Sequence, residues 1–232
     1  MFIHSTFSSA QEAQTAASQH LRNTLQELIT LNKPTLMLLS GGSNIQVAAA
    51  VDHDILHHSL ITRMALDERF TQDTQQNNSL LLQMAGVDVV PTIPHPQETL
   101  EQFGQRFALL LKTWLDDNPN GKVICTLGMG ADGHIAGISP FPNDKEQFSQ
   151  LFLKTNELAI GYTGNLQPPQ RVTVTPTFLT RVDTIVTCIT GEEKRAVLKT
   201  FVQHSSQPHQ HPVQLLHTLP AAITLYTDQS LE

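Results

Sequence analysis

The chain has 232 residues, 40% of them apolar and 15% charged, which suits a globular fold and excludes a disordered or low-complexity protein. A formal net charge of −7 disfavours non-specific binding to nucleic acid or to an anionic membrane. An anionic ligand must therefore be met by cations gathered locally.

No stretch reaches membrane-spanning length, and residues 1–14 show no basic region followed by a long apolar run, so a cytoplasmic protein is expected. Ser8 and Ser9 can cap a helix running to about Thr30, with Ala17, Leu21, Leu25 and Leu28 as its apolar stripe. Pro34 separates it from a short apolar strand at 35–39. Ser40-Gly41-Gly42-Ser43-Asn44 follows, then a helix at 45–51. Strand, Ser/Gly loop and helix gather backbone N–H groups at a positive helix end, where phosphate binds. Neither the Walker pattern nor G-x-G-x-x-G spacing is present, so a phosphorylated small molecule fits better than a nucleotide. A plain strand-to-helix turn is compatible with the same residues.

Residues 61–66 read as a strand that ends in Asp67-Glu68-Arg69, charged residues where α/β ligand clefts form. Asn77, Asn78 and Ser79 open a helix at 80–85, and 87–93 reads as the next strand. The prolines at 91, 94 and 96 mark a stiff turn. Residues 97–116 predict a long amphipathic helix whose Phe103, Phe107, Leu110 and Trp114 face the core.

Residues 122–127 form an apolar, partly β-branched run, hence a buried strand, and lead into Gly128-Met129-Gly130-Ala131-Asp132-Gly133-His134. Asp132 and His134 stand two residues apart on a glycine-rich ribbon. In an extended or turn conformation that spacing can aim both at one cavity, and on a helix it cannot. A structural Asp-Gly turn is the competing reading of the segment taken alone.

Strands at 157–162 and 171–174 flank a Pro-rich turn at 164–170, and a short helix starts at 176–179. Residues 184–190 carry an interior-strand signature. Gly191-Glu192-Glu193-Lys194 starts a helix through His204, 205–212 reads as an exposed polar loop, 213–219 as a short helix and 222–226 as the last strand. The alternation predicts one α/β domain over 1–232, with a mostly parallel sheet flanked by helices on both faces. Cys125 and Cys188 read as small core residues rather than a disulfide or a zinc site. The histidines at 53, 57 and 58 and at 204, 209, 211 and 217 leave a metal site as a weak option.

Taken in order, Ser40–Ser43, Asp67–Arg69, Asn77/Asn78, Gly128–His134, Arg171–Thr173 and Gly191–Lys194 resemble the 6-phosphogluconolactonase family, part of the glucosamine-6-phosphate isomerase/deaminase-like superfamily. The resemblance spans roughly residues 10–228. It implies a Rossmann-like fold and hydrolysis of 6-phosphoglucono-δ-lactone in the pentose phosphate pathway. It implies no metal or organic cofactor, a small-molecule partner, and a monomer or small homo-oligomer.

Such a reaction needs a general base near neutral pH, for which His134 is the candidate, with Asp132 or another carboxylate orienting it. Backbone N–H groups of the glycine loop, Gly130 among them, are expected to stabilise the oxyanion. Arg171 and Lys194 are the cationic candidates for the phosphate, with Ser43 and the Gly41 and Gly42 amides on the other wall. Asp67 and Arg69 are expected on the sugar or the phosphate. One alternative is a glucosamine-6-phosphate deaminase, whose loop Asp132-Gly133-His134-Ile135-Ala136 resembles, but whose following glutamate is absent from Gly137-Ile138-Ser139-Pro140. The other is a sugar-phosphate-binding protein without turnover. A serine hydrolase is disfavoured, since no G-x-S-x-G elbow is present.

Overall fold

The computed structural model describes residues 2–231. Strand β1 (Phe2–Thr6) leads to helix α1 (Ala10–Thr30), and Ser9 caps that helix by accepting from the Glu12 N–H. Its buried face is Ala13, Ala17, Leu21 and Leu25, a strict four-residue spacing that keeps them on one side. Strand β2 (Thr35–Leu39), two short helices α2 (Asn44–Ala49) and α3 (His53–Leu56), and strand β3 (Ile61–Ala65) follow. Then come β4 (Asp67–Arg69), α4 (Asn78–Met84), α5 (Leu100–Asp117) and β5 (Lys122–Thr126). The last part holds α6 (Lys145–Phe148), β6 (Ala159–Thr163), β7 (Gln170–Val174), α7 (Pro176–Leu179), β8 (Thr184–Cys188), α8 (Arg195–Val202) and β9 (Ala222–Thr227).

Six strands form a parallel sheet in the order β1-β9-β8-β5-β2-β3. Side chains of a strand alternate between faces, so β2 sends Leu36 and Leu38 into one buried cluster and Met37 and Leu39 into another. Both faces are covered, which is why 36–39 is apolar without a break. The chain leaves β2 in one direction to reach β3 and later returns to β2's other side as β5. That reversal opens a crevice beyond the strand ends, where the loops after β2, β5 and β8 emerge side by side.

A second sheet was not legible as such in the sequence. β4, β7 and β6 form a separate three-stranded antiparallel sheet, against which α5 packs. Nor was β1, a short edge strand with only β9 to pair with. The strand expected at 87–93 is instead an irregular segment held near β3 by one backbone bond, Val90 N–H to the Arg63 carbonyl. Pro91 and Pro94 lack the N–H that a ladder requires. The helix expected from Gly191 begins as a 3-10 turn at Glu192–Lys194 and becomes α-helical only over α8. Residues 205–212 are less free than a solvated loop. The His209 carbonyl accepts from Phe141 N–H, the Val213 N–H donates to the Gly133 carbonyl, and His211 lies against Gly133. Both cysteines are buried and free, and burial pushes both thiols up, away from reactive thiolates. Among the described residues no group of three or more His, Cys, Asp or Glu is arranged to hold a metal ion.

Candidate active site

A cleft of about 190 Å³ lies at the crevice. Its walls include Gly41, Gly42, Ser43, Asp67, Arg69, Gly130, His134, Arg171 and Lys194, so residues far apart in the chain converge there. Asp132 does not line it. Asp132 stands behind the imidazole, its Oδ1 2.6 Å from His134 Nδ1, and also accepts from the His134 backbone N–H at 3.1 Å. The expectation that both side chains face the cavity holds for His134 alone. With the carboxylate as acceptor, Nδ1 carries the proton and Nε2 is left toward the cleft. Burial pushes the Asp132 carboxyl up, but its bonds to His134 outweigh this and hold it below the usual carboxylate range.

Gly130 makes this arrangement possible. A Cβ there would run into the His134 ring and the Asp132 carboxylate. Gly133 adopts φ +82°, and a side chain would meet His211.

The glycines of the loop after β5 do not offer open amides. The N–H of Gly128 donates to Ser40 Oγ, that of Gly130 to the His134 carbonyl and that of Gly133 to the Gly130 carbonyl. The Gly137 N–H donates to Thr173 Oγ1. Among the described residues, the N–H groups of Gly41, Gly42 and Ser43 have no hydrogen-bond partner. Open backbone donors thus lie on the loop after β2, while in the loop after β5 the three glycine N–H groups are taken up internally.

Antiparallel pairing explains why Asp67-Glu68-Arg69 contributes two residues and not three. β4 and β7 align Asp67 with Thr173, Glu68 with Val172 and Arg69 with Arg171. Strand alternation puts Asp67, Arg69 and Arg171 on the cleft side and Glu68 on the other, beneath α4. Arg171 is 5% exposed. Its Nε and Nη2 donate to the carbonyls of Pro168 (3.0 Å) and Gln167 (2.9 Å), and its Nη1 stands 3.8 Å from Asp67 Oδ2. Burial lowers its pKa, opposed by the attraction of Asp67. Arg69 Nη1 donates to the Gln76 carbonyl at 2.7 Å, and its buried Nε has no partner among the described residues. The Lys194 backbone N–H closes the 3-10 turn on the Gly191 carbonyl, while its side chain makes no hydrogen bond or ion pair among the described residues and lines the cleft. The lining thus carries three cations against one carboxylate, Asp67.

The sequence reading missed several wall residues. Asn78 lines the cleft, donates Nδ2 to the Asp67 carbonyl at 3.0 Å, and keeps an unpartnered buried Oδ1 beside Gly41. Asn44 exchanges two bonds with the Cys188 backbone, each 3.2 Å, tying the start of α2 to the end of β8. Ile189 and Thr190 line the cleft because β8 ends beside β5, an adjacency that periodicity does not reveal. The segment Gly137–Ser139 is anchored by Tyr162, whose hydroxyl donates to the Gly137 carbonyl and accepts from the Ser139 N–H.

The fold is shared with solved structures over nearly their whole length. A 6-phosphogluconolactonase from Shewanella baltica OS155 superposes with TM-score 0.76 at 18% identity, covering 98% of each chain. One from Thermotoga maritima gives 0.77 at 16% identity, covering 98% of this chain and 100% of that one. One from Trypanosoma brucei gives 0.72 at 18% identity, covering 98% of this chain and 96% of that one. No curated protein sequence matches the chain. The family model described as glucosamine-6-phosphate isomerases/6-phosphogluconolactonase matches residues 8–224, and the chain belongs to that family.

Proposed function

We propose that this chain is a 6-phosphogluconolactonase, hydrolysing 6-phospho-D-glucono-1,5-lactone to 6-phosphogluconate. The observation that carries the reading is the His134–Asp132 pair, 2.6 Å apart, at a cleft that is also lined by Arg69, Arg171 and Lys194. A neutral imidazole with its Nδ1 proton fixed has Nε2 free to take a proton from water. The water oxygen then bonds to the lactone carbonyl carbon, and the carbonyl π pair moves onto oxygen. Collapse of that tetrahedral species breaks the bond to the ring oxygen, which recovers the proton from His134. The open N–H groups of residues 41–43 and the lining cations supply the fixed positive potential that such an oxyanion requires.

Three cations and one carboxylate suit a substrate with a dianionic phosphate at one end. Arg171 is held by two carbonyls and is preorganised for the phosphate, while Lys194 is unconstrained and can follow it. The chain would act as one catalytic unit in the cytoplasm, taking a small sugar phosphate.

The deaminase reading needs an acid after the His134 segment to assist ring opening. Here Ala136 lines the cleft at that point, Ser139 is bonded to Tyr162, and Asp67 is the one carboxylate in the lining. The test is a pH-stat or NMR time course on freshly made lactone with the spontaneous rate subtracted. Acceleration abolished in His134→Ala, with no ammonia released from glucosamine 6-phosphate, supports the reading. Tight binding of 6-phosphogluconate with no acceleration would replace it by a binding protein.

A further inference from the structure

Glu68 takes no part in the chemistry above, yet its side chain is 0% exposed beside the cleft. Its Oε1 accepts from the N–H groups of Arg69 (2.8 Å) and Asn78 (2.7 Å), and its Oε2 from that of Ser79 (2.9 Å). Arg69 and Asn78 both line the cleft. One carboxylate therefore clips the end of β4 to the start of α4 from behind the cleft wall. We infer that Glu68 is a positioning residue whose carboxylate fixes the spacing between Arg69 and Asn78, so that its protonation state tunes how tightly the cleft holds an anionic sugar. The kinetic part of this inference rests on the lactonase reading.

The geometry makes the clip sensitive to one proton. An ionised carboxylate is acceptor-only and satisfies all three donors. Once protonated, it presents an O–H to a pocket of N–H donors, and at least one of the three bonds must lengthen or break. Burial pushes the Glu68 carboxyl up to about 7; the three N–H bonds pull it down and Asp67 pushes it further up. The ionisable groups around it are Asp67 and Arg69 on β4 and Arg171 on β7. The residues that α4 turns toward it, Asn78 and Ser79, are uncharged, and Asp73 of the intervening loop is exposed and bonded to Gln75 and Gln76.

The experiment uses the full chain and Glu68→Gln, which keeps the shape and cannot ionise. In the ligand-free wild type, the backbone amide resonances of Arg69, Asn78 and Ser79 are followed from about pH 5.5 to about pH 8.5. A shared titration near pH 7 in wild type that is missing in the variant is the expected result. With the lactone, the variant should show KM raised about tenfold, kcat within about twofold of wild type, and a flattened dependence of KM on pH through neutrality. Amides that do not titrate in wild type overturn the inference. So does a folded variant with wild-type KM and the wild-type KM profile. If the wild type fails to accelerate lactone hydrolysis, the enzymatic reading falls, and the amide titration still decides the role of Glu68.

Discussion

The Asp132 carboxylate bonds twice to one residue, through Oδ1 to the ring Nδ1 of His134 at 2.6 Å and to its backbone N–H at 3.1 Å. The acid thus sets both the place and the tautomer of the imidazole, and does not itself line the cleft. His134→Ala is expected to lower kcat by about 10²–10⁴, the usual range for a positioned general base. Asp132→Ala should cost about tenfold or more in kcat with KM little changed. Because the two act as a unit, the double variant should be no worse than His134→Ala. Steady-state kinetics on the three variants check this.

Arg171 and Lys194 should part company on substitution. The Lys194 ammonium has no partner among the described residues, so Lys194→Ala should raise KM for the phosphorylated lactone while leaving the melting temperature unchanged. Arg171 also holds the carbonyls of Gln167 and Pro168. Arg171→Ala should therefore raise KM and also destabilise the fold by about 1–3 kcal/mol, the cost of leaving buried polar groups unpaired. Unphosphorylated gluconolactone should be nearly indifferent to both changes. Paired kinetics on the two lactones, with thermal melts, tests the distinction.

Gly130→Ala should be damaging out of proportion to its size. The added methyl would overlap the His134 ring and the Asp132 carboxylate, so one must move. Overpacking of this kind costs about 1–3 kcal/mol. A displaced imidazole should cut kcat by about 10²-fold. Thermal unfolding and kcat measured on the same preparation read the two effects.

Glu68 should make stability fall as pH rises through neutrality, against His20, His57 and His217, whose pKa values are lowered by burial and which favour the folded chain as pH rises. Its folded-state pKa, about 7, lies above the 4.5 of an unperturbed glutamate. Between those values the native chain binds more protons than the unfolded one, so the slope of unfolding free energy against pH is negative. The contribution is complete below pH 4.5 and lost as pH rises through about 7. A displacement of that size corresponds to about 3 kcal/mol. Asp132 and Glu98 act in the opposite sense, since their lowered pKa values remove stability only at more acid pH. The change in unfolding free energy from pH 5 to pH 8, read by denaturant, should be more positive in Glu68→Gln than in wild type.

Much of the site was legible because its residues sit at the ends of strongly patterned strands. The runs at 35–39, 122–126 and 184–188 are apolar enough to announce buried strands, and the polar residues that follow them are the cleft. What the pattern could not show was adjacency. That β8 lies beside β5, and that β4 pairs with β7 across about a hundred residues, follows from tertiary packing and leaves no local periodicity. For the same reason Glu68 passed as one more charge in Asp67-Glu68-Arg69. Only the strand register shows that it points away from its neighbours. At the three glycines the expected open amides are absent because glycine signals backbone freedom, not a free N–H. At 128, 130 and 133 the freed backbone satisfies its own donors.

The register that pairs Arg69 with Arg171 leaves two guanidinium groups opposite each other on one face of a small sheet, with Asp67 as the one acid in that wall. Like charges placed directly across strands repel: the Arg69 charge lowers the pKa of Arg171, and Asp67 opposes it. On the proposed function, a bound phosphate dianion would relieve that repulsion and act as a temporary structural member of the β4–β7 sheet. The protein should consequently melt at a higher temperature in millimolar 6-phosphogluconate or inorganic phosphate than in chloride of equal ionic strength, and that gain should vanish when either arginine is neutralised.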